Sequence, residues 1–142
     1  MDDLALNPLE VKVFELLLAG DDPVLNELNQ QFQSARIRSR RCTGVGYYLY
    51  FDVEKKQENL VESLHIKSLF CFGDVDVILE KGKDQQEVGY LLWIKDGYID
   101  NLEAYTFGAE EWPEEIDEFR VKYISGQRNL DELRKEWKTK AI

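Results

Sequence analysis

One histidine and two cysteines are the residues of this chain best suited to nucleophilic or acid–base chemistry. His65 stands between Leu64 and Ile66 at the edge of a strand-like segment, a setting more typical of a packed or surface histidine than of a catalytic base. Cys42 and Cys71 lack the C-x-x-C spacing of redox and zinc sites, and their apolar surroundings predict free, largely buried thiols. We therefore expect no Cys–His pair and no enzymatic turnover.

Two short stretches contain the residue types of ligand-binding loops without their spacing. The stretch "CTGVG" at 42–46 lacks both G-x-G-x-x-G and the following Lys-Ser/Thr of a phosphate loop, which favours a turn or bulge. The stretch "DVDVILEKGKD" at 74–84 lacks the ligand order of an EF-hand loop and a glycine at its sixth position. We expect no cofactor and no metal ion.

Arginine recurs at 36, 38, 40 and 41, where it would form a basic stripe able to contact RNA phosphates. The formal net charge of −10 and the isoelectric point near 4.6 oppose binding to phosphate backbones and to anionic lipid. We therefore expect these arginines to pair with the acidic segments of the chain itself. Neither a direct nucleic-acid partner nor a membrane is expected.

The densest acidity coincides with dense aromatics in "DGYIDNLEAYTFGAEEWPEEIDEF", residues 96–119, which holds nine carboxylates and no lysine or arginine. Crowded like charges cost stability, while tyrosine and tryptophan are rigid anchors common at protein interfaces. The stretch is thus a candidate surface for a basic partner. Its candidate binding residues are Asp100, Glu103, Tyr105, Glu110, Glu111, Trp112, Glu114 and Glu115.

Two alternatives for this stretch remain open. It fits a solvated acidic loop whose aromatics point into the core, with Trp112 before Pro113 as a core plug. Acids flanked by aromatics also fit a carbohydrate site, because glycoside hydrolases use paired carboxylates beside the sugar.

The bulk composition predicts one globular domain over residues 1–142. A chain of 142 residues fits one hydrophobic core, and 44% apolar with 32% charged residues can bury enough surface to fold. The N-terminal "MDDLALNPLE" lacks the charge and apolar pattern of a signal peptide, and no apolar run approaches the roughly 20 residues of a membrane span. These features favour a cytoplasmic protein.

Helix-capping residues predict a helical hairpin at the N-terminus. Asn7 and Glu10 form the pattern of a capping box that opens a helix over about 8–19. Asp22, followed by proline, opens a second helix over about 23–35. A further helix is expected at the C-terminus after an asparagine cap at position 129.

Strands are predicted between these helices. The turn pair Asp96-Gly97 separates two apolar runs and predicts a hairpin of about 87–95 and 98–107, with a bulge near Asp100-Asn101. The other strand-like regions are 36–53, with an interruption at 44–46, and 67–82. The segment 116–124 fits either a last edge strand or irregular packing. Together these elements predict an α+β fold, with the N-terminal helix hairpin packed on a mostly antiparallel sheet of about four or five strands, plus a C-terminal helix.

A family resemblance spans about residues 7–120. The stretch "GYIDNLEAYTFGAEEWPEEI" resembles a G-x-[IL]-D-x-L-E-x-[FY]-[TS]-[FY]-G-x-E-x-W-P pattern of small acidic bacterial proteins. The stretches "TGVGYYLYF" and "FGDVDVIL" are similar to preceding strands of that family, and "NPLEVKVFELLLAGDDPVLNELNQQF" is similar to its helix pair. Some of these proteins resemble immunity proteins encoded beside polymorphic or contact-dependent growth inhibition toxins.

The resemblance implies a non-enzymatic cytoplasmic protein that neutralises a cognate toxin by stoichiometric protein–protein interaction. Such toxins are often basic nucleases, and an acidic inhibitor would be steered onto their nucleic-acid surface. A small-molecule or carbohydrate-binding domain, including a weak enzyme, is the alternative. An adaptor protein without a toxin is a third hypothesis.

Overall fold

The computed structural model describes residues 5–108 and 110–139; residues 1–4, 109 and 140–142 lie outside the described part. Within the described residues there are four helices and seven strands. The helices are α1 (Pro8–Leu17), α2 (Pro23–Ser34), α3 (Leu60–Leu64) and α4 (Leu130–Trp137). The strands are β1 (Arg36–Cys42), β2 (Gly46–Asp52), β3 (Leu69–Phe72), β4 (Val75–Lys81), β5 (Asp84–Lys95), β6 (Tyr98–Thr106) and β7 (Glu118–Tyr123).

The N-terminal helices begin where their caps predict. Asn7 Oδ1 accepts from the Glu10 N–H at 2.8 Å, and the Asn7 N–H donates back to Glu10 Oε1 at 3.0 Å, which completes the capping box. Asp22 Oδ2 accepts from the Val24 N–H at 2.8 Å at the start of α2. The predicted helix hairpin is confirmed, although α1 ends at Leu17, two residues earlier than expected.

The strands form one antiparallel sheet with the order β1-β2-β6-β5-β4-β7, and β3 pairs with β5 beside β4. β3 pairs with the C-terminal half of β5, while β4 pairs with its N-terminal half. The two short strands therefore share one edge of β5 and separate at Gly73. A Cβ at Gly73 would lie 1.9 Å from the Tyr90 carbonyl oxygen, so only glycine allows this close crossing.

The α+β class is confirmed, but the described sheet has seven strands rather than four or five. The region 36–53 folds back on itself as the β1–β2 hairpin, and the region 67–82 divides at Gly73 into β3 and β4. The predicted bulge is confirmed, because Trp93 pairs with Asn101 and Ile94 with Ile99, which leaves Asp100 as the extra residue. The predicted edge strand is β7, which pairs with β4.

The helices pack on one face of this sheet. Phe14 of α1 meets Phe51 of β2 edge-on, with ring centroids 5.5 Å apart, and Trp137 of α4 packs on Phe72 of β3 at 4.9 Å. Gln31 of α2 donates to the Gly97 carbonyl and accepts from the Ile99 N–H, both at 2.9 Å. These contacts fix the core between the helices and the sheet.

Side-chain alternation defines the opposite face. Leu49 lies two residues before Phe51 on β2 and pairs in register with Leu102, which pairs with Leu92; all three leucines are fully buried toward the helices. Their strand neighbours must point the other way. We call this other side the open face, and its central side chains are Tyr48, Tyr50, Leu91, Trp93, Asn101, Glu103 and Tyr105.

Candidate partner-binding site

Glu103 lies at the centre of the open face. It pairs in register with Tyr48 on β2 and with Leu91 on β5. Its carboxylate accepts a hydrogen bond from Trp93 Nε1–H at 2.9 Å and one from the Tyr48 hydroxyl at 3.2 Å. The Glu103 charge raises the pKa of the Tyr48 hydroxyl, because a second negative charge nearby opposes ionisation. In the described part of the chain no ion pair joins Glu103 to a basic side chain.

Asn101 is buried beside Glu103 and has an unmet acceptor. It pairs in register with Tyr50 on one side and Trp93 on the other, and only 9% of the residue is exposed. Its Nδ2 donates to Asp100 Oδ2 at 2.8 Å, which fixes the orientation of the amide because a carboxylate only accepts. Its Oδ1 is buried with no hydrogen-bond partner among the described residues. The predicted site residue Asp100 thus serves to orient Asn101.

Tyr105 extends the open face along β6. Its ring covers Gly89, its register partner on β5, since a Cβ on Gly89 would lie 2.3 Å from Tyr105 Cζ. Phe107 meets the Tyr105 ring edge-on at 5.6 Å and is itself 46% exposed. Burial raises the pKa of the Tyr105 hydroxyl. Tyr105 and Glu103 therefore share one surface, as sequence reasoning grouped them.

The other predicted acids lie on a separate surface, the connection between β6 and β7. We call residues 110–118 the acidic segment. Its exposed candidate residues are Glu110, Glu111, Glu114 and Glu115. The backbone is tied to the fold at two points: the Trp112 N–H donates to the Gly44 carbonyl at 2.9 Å, and the Asp117 N–H donates to the Glu80 carbonyl at 2.8 Å. These two bonds lie on either side of Glu114 and Glu115.

A shallow cleft of about 330 Å³ lies beside the acidic segment. The carboxylates that line it belong to Glu80, Asp84, Glu110, Glu111 and Glu115. Lys81 also lines it, and its ammonium lies 3.7 Å from the Glu115 carboxylate in an exposed ion pair that contributes little. Acidic groups therefore dominate this surface.

Trp112 packs against the core. Its half-buried ring meets the rings of Tyr47 and Tyr90 edge-on, with centroids 5.3 and 6.2 Å away. The two tyrosine hydroxyls lie 3.0 Å apart, and burial raises the pKa of both. This placement matches the core plug that the sequence left open, so Trp112 anchors the acidic segment to the fold.

The cysteine prediction needs correction. Both thiols are free, but Cys42 is exposed and Cys71 is half-buried, where largely buried side chains were expected. Cys42 ends the edge strand β1 beside the β1–β2 turn, and Cys71 lies on the open face opposite Trp93. Apolar sequence neighbours do not imply burial when alternate residues point away from the core. Burial raises the pKa of the Cys71 thiol.

The arginines and the histidine also have specific positions. Arg40 pairs with Glu10 of α1, and Arg38 lies 3.7 Å from Asp52. These two arginines do pair within the chain, but with acids outside the acidic segment. His65 is exposed and ends α3 in a left-handed conformation, with φ 54°.

Comparison of the chain with protein-family models, curated proteins and solved structures finds no match. Among residues 5–108 and 110–139, no group of three or more His, Cys, Asp or Glu side chains could hold a metal ion. The helices of the same residues are all too short or too polar to cross a membrane.

Sequence reasoning missed Tyr48, Trp93 and Asn101, which surround Glu103 on the open face. The alternation in "YYLYF" marks Tyr48 and Tyr50 as one face of β2. Placing them beside Glu103 requires the register between β2 and β6, which pairs residues more than 50 positions apart. That register has no local sequence signature.

Proposed function

We propose that this protein is an immunity protein that neutralises a basic, nuclease-type toxin by stoichiometric binding in the cytoplasm, without enzymatic turnover. The observation that carries the proposal is the acidic segment. Its carboxylates are exposed, while its backbone is tied to the β1–β2 turn and to β4. A rigid acidic surface of this kind attracts a basic partner and binds it with little loss of conformational freedom.

Charge complementarity explains how such a protein would inhibit a nuclease. A nuclease concentrates lysine and arginine where it binds phosphates, and the same residues attract a surface rich in carboxylates. The inhibitor then occupies or shields that surface, so that inhibition follows from occupancy and each inhibitor molecule silences one toxin molecule. The resemblance to immunity proteins supports this function, and the charge of −10 suits it.

The test uses the protein encoded beside the gene for this chain, provided that it ends in a basic toxin domain. Co-expression should protect growth, and titration of the purified toxin should abolish its activity at a 1:1 ratio with formation of a stable complex. Light scattering after size-exclusion chromatography measures that ratio. Full inhibition of the toxin by far less than one equivalent of this protein would indicate catalysis. No inhibition of the toxin, together with binding of this protein to a glycan panel, would favour the carbohydrate alternative.

A further inference from the structure

The open face displays acceptors without a cationic partner. The Glu103 carboxylate is half-buried and holds two hydrogen-bond donors, yet no described basic side chain pairs with it. Arg41 of β1 is exposed opposite Tyr48, and no ion pair joins it to Glu103 in the described residues. Beside them the buried Asn101 Oδ1 lacks a donor.

Aromatic rings frame the same acceptors. The rings of Tyr48 and Tyr50 stack with centroids 6.0 Å apart, and Trp93 stands on the other side of Asn101. The Arg38 guanidinium already lies 5.5 Å from the Tyr50 ring centroid, so a cation can approach this face. The carboxylate and the aromatic faces together match an arginine side chain, which donates several N–H groups and stacks on rings.

We propose that the open face around Glu103 receives an arginine side chain of the basic protein partner. The guanidinium pairs with the Glu103 carboxylate and lies against the Tyr48 and Trp93 rings. This inference rests on the proposed function and adds a second contact surface to the acidic segment. The acidic segment governs encounter with the partner, and the Glu103 site governs how long the complex lasts.

The experiment uses two short peptides as probes, acetyl-Gly-Arg-Gly-amide and its neutral citrulline counterpart. In ¹⁵N-labelled protein the Trp93 indole N–H reports directly on Glu103, because it donates to that carboxylate. The arginine peptide should shift this signal and the Asn101 side-chain amide saturably, with a dissociation constant on the order of 1 mM or weaker for a single side chain. The citrulline peptide should shift them much less. A Trp93→Phe variant assigns the indole signal.

Two matched pairs of variants make the test specific. Glu103→Gln should weaken arginine-peptide binding about tenfold, since it removes the charge, whereas Glu58→Gln changes an exposed carboxylate elsewhere and should have no effect. Leu91→Lys places a cation opposite Glu103 within the chain and should abolish binding. Leu69→Lys adds the same charge at the β3 end of the open face and should preserve binding.

Three outcomes would overturn the inference: equal shifts with the citrulline peptide, unchanged binding in a folded Glu103→Gln variant, or equal loss in Leu91→Lys and Leu69→Lys. If the arginine peptide fails at the open face while the toxin is still inhibited at 1:1, the Glu103 site is wrong and the proposed function stands. If the toxin is not inhibited at all, the proposed function fails first, whatever the peptides show.

Discussion

At the scale of single residues, Glu10 shows how this acidic chain uses a buried carboxylate. Glu10 is fully buried, completes the capping box with Asn7, and accepts from Arg40 Nη2 at 3.0 Å. The Arg40 guanidinium also lies 5.3 Å from the Tyr47 ring centroid. The pair joins α1 to β1 and so ties the N-terminal helix to the edge of the sheet. The hydrogen bond that the Arg40 guanidinium donates to the Glu10 carboxylate is the main cause that raises the pKa of Arg40.

Replacing Arg40 by leucine should lower the free energy of unfolding by about 3–5 kcal/mol, because it leaves the Glu10 carboxylate buried without its cation. Arg38→Leu is the matched control, since the Arg38–Asp52 pair is 3.7 Å long and more than half exposed; it should change the stability by less than about 1 kcal/mol. Urea unfolding followed by circular dichroism measures both. Equal effects of the two substitutions would show that the Glu10 pair contributes no more than a surface pair.

At the scale of elements, the β5–β6 turn links local conformation to packing. Asp96 and Gly97 both have positive φ, 52° and 87°, as a two-residue hairpin turn requires. A Cβ on Gly97 would lie 2.6 Å from Leu60 Cβ, because α3 packs directly on the turn. Gly82, in the β4–β5 turn, also has positive φ, 59°, but has nothing within 4 Å of the added atom. A side chain at Gly82 would therefore meet only backbone strain, whereas a side chain at Gly97 would meet the same strain and also a steric clash with Leu60.

Gly97→Ala should lower the free energy of unfolding by about 2–4 kcal/mol, the sum of an unfavourable φ and a displaced α3. Gly82→Ala should lower it by only about 1 kcal/mol, because its cost is conformational alone. Denaturant midpoints compared at a constant m-value measure the difference. Equal losses of stability in the two variants would contradict this prediction, because they would show that α3 moves away from the turn at no cost.

Much of this element structure could be predicted from the sequence because it is local. The helix caps Asn7 and Asp22 bond to backbone groups within the next three residues, and the Asp96-Gly97 turn depends only on its own two residues. Their patterns therefore predicted both N-terminal helices and the central hairpin correctly. The interruption at 44–46 was predicted and separates β1 from β2, whereas the division at Gly73 into β3 and β4 was not predicted, because it depends on which strand lies alongside. The acidic segment is visible as charge density, whereas the surroundings of Glu103 depend on non-local register.

At the scale of the whole molecule, a few arginines form ion pairs that join separate elements of the fold. Arg128 is only 7% exposed and lies 2.8 Å from the Asp74 carboxylate, while Arg134 binds the buried Asp22 at 2.7 Å. The Arg128–Asp74 pair ties the β7–α4 connection to the turn between β3 and β4, and the Arg134–Asp22 pair joins α4 to the N-cap of α2. The acidic segment receives little compensating positive charge, since its Lys81–Glu115 pair is exposed and 3.7 Å long. The exposed carboxylates of the acidic segment therefore keep most of their negative charge uncompensated.

Changing Glu110, Glu111, Glu114 and Glu115 together to glutamine should slow association with the basic partner and flatten its dependence on salt. Surface charges act mainly on the rate of encounter, and their influence fades beyond a Debye length of about 8 Å at physiological ionic strength. Stopped-flow association rates between 50 and 500 mM salt provide the measurement, because the Debye length shortens by roughly a factor of three over that range. The dissociation rate should change much less, because the Glu103 site is untouched.

The control is a second quadruple variant with the same change of charge, in which glutamine replaces four exposed glutamates of α1, α3 and the β2–α3 connection: Glu15, Glu54, Glu58 and Glu62. Both variants should keep the melting temperature of the parent within a few degrees, since exposed substitutions of this kind change stability little. If steering depended on net charge alone, the two variants would slow association equally. A larger effect in the acidic-segment variant would locate the encounter surface there, whereas a larger effect in the control variant would contradict the prediction and place that surface elsewhere.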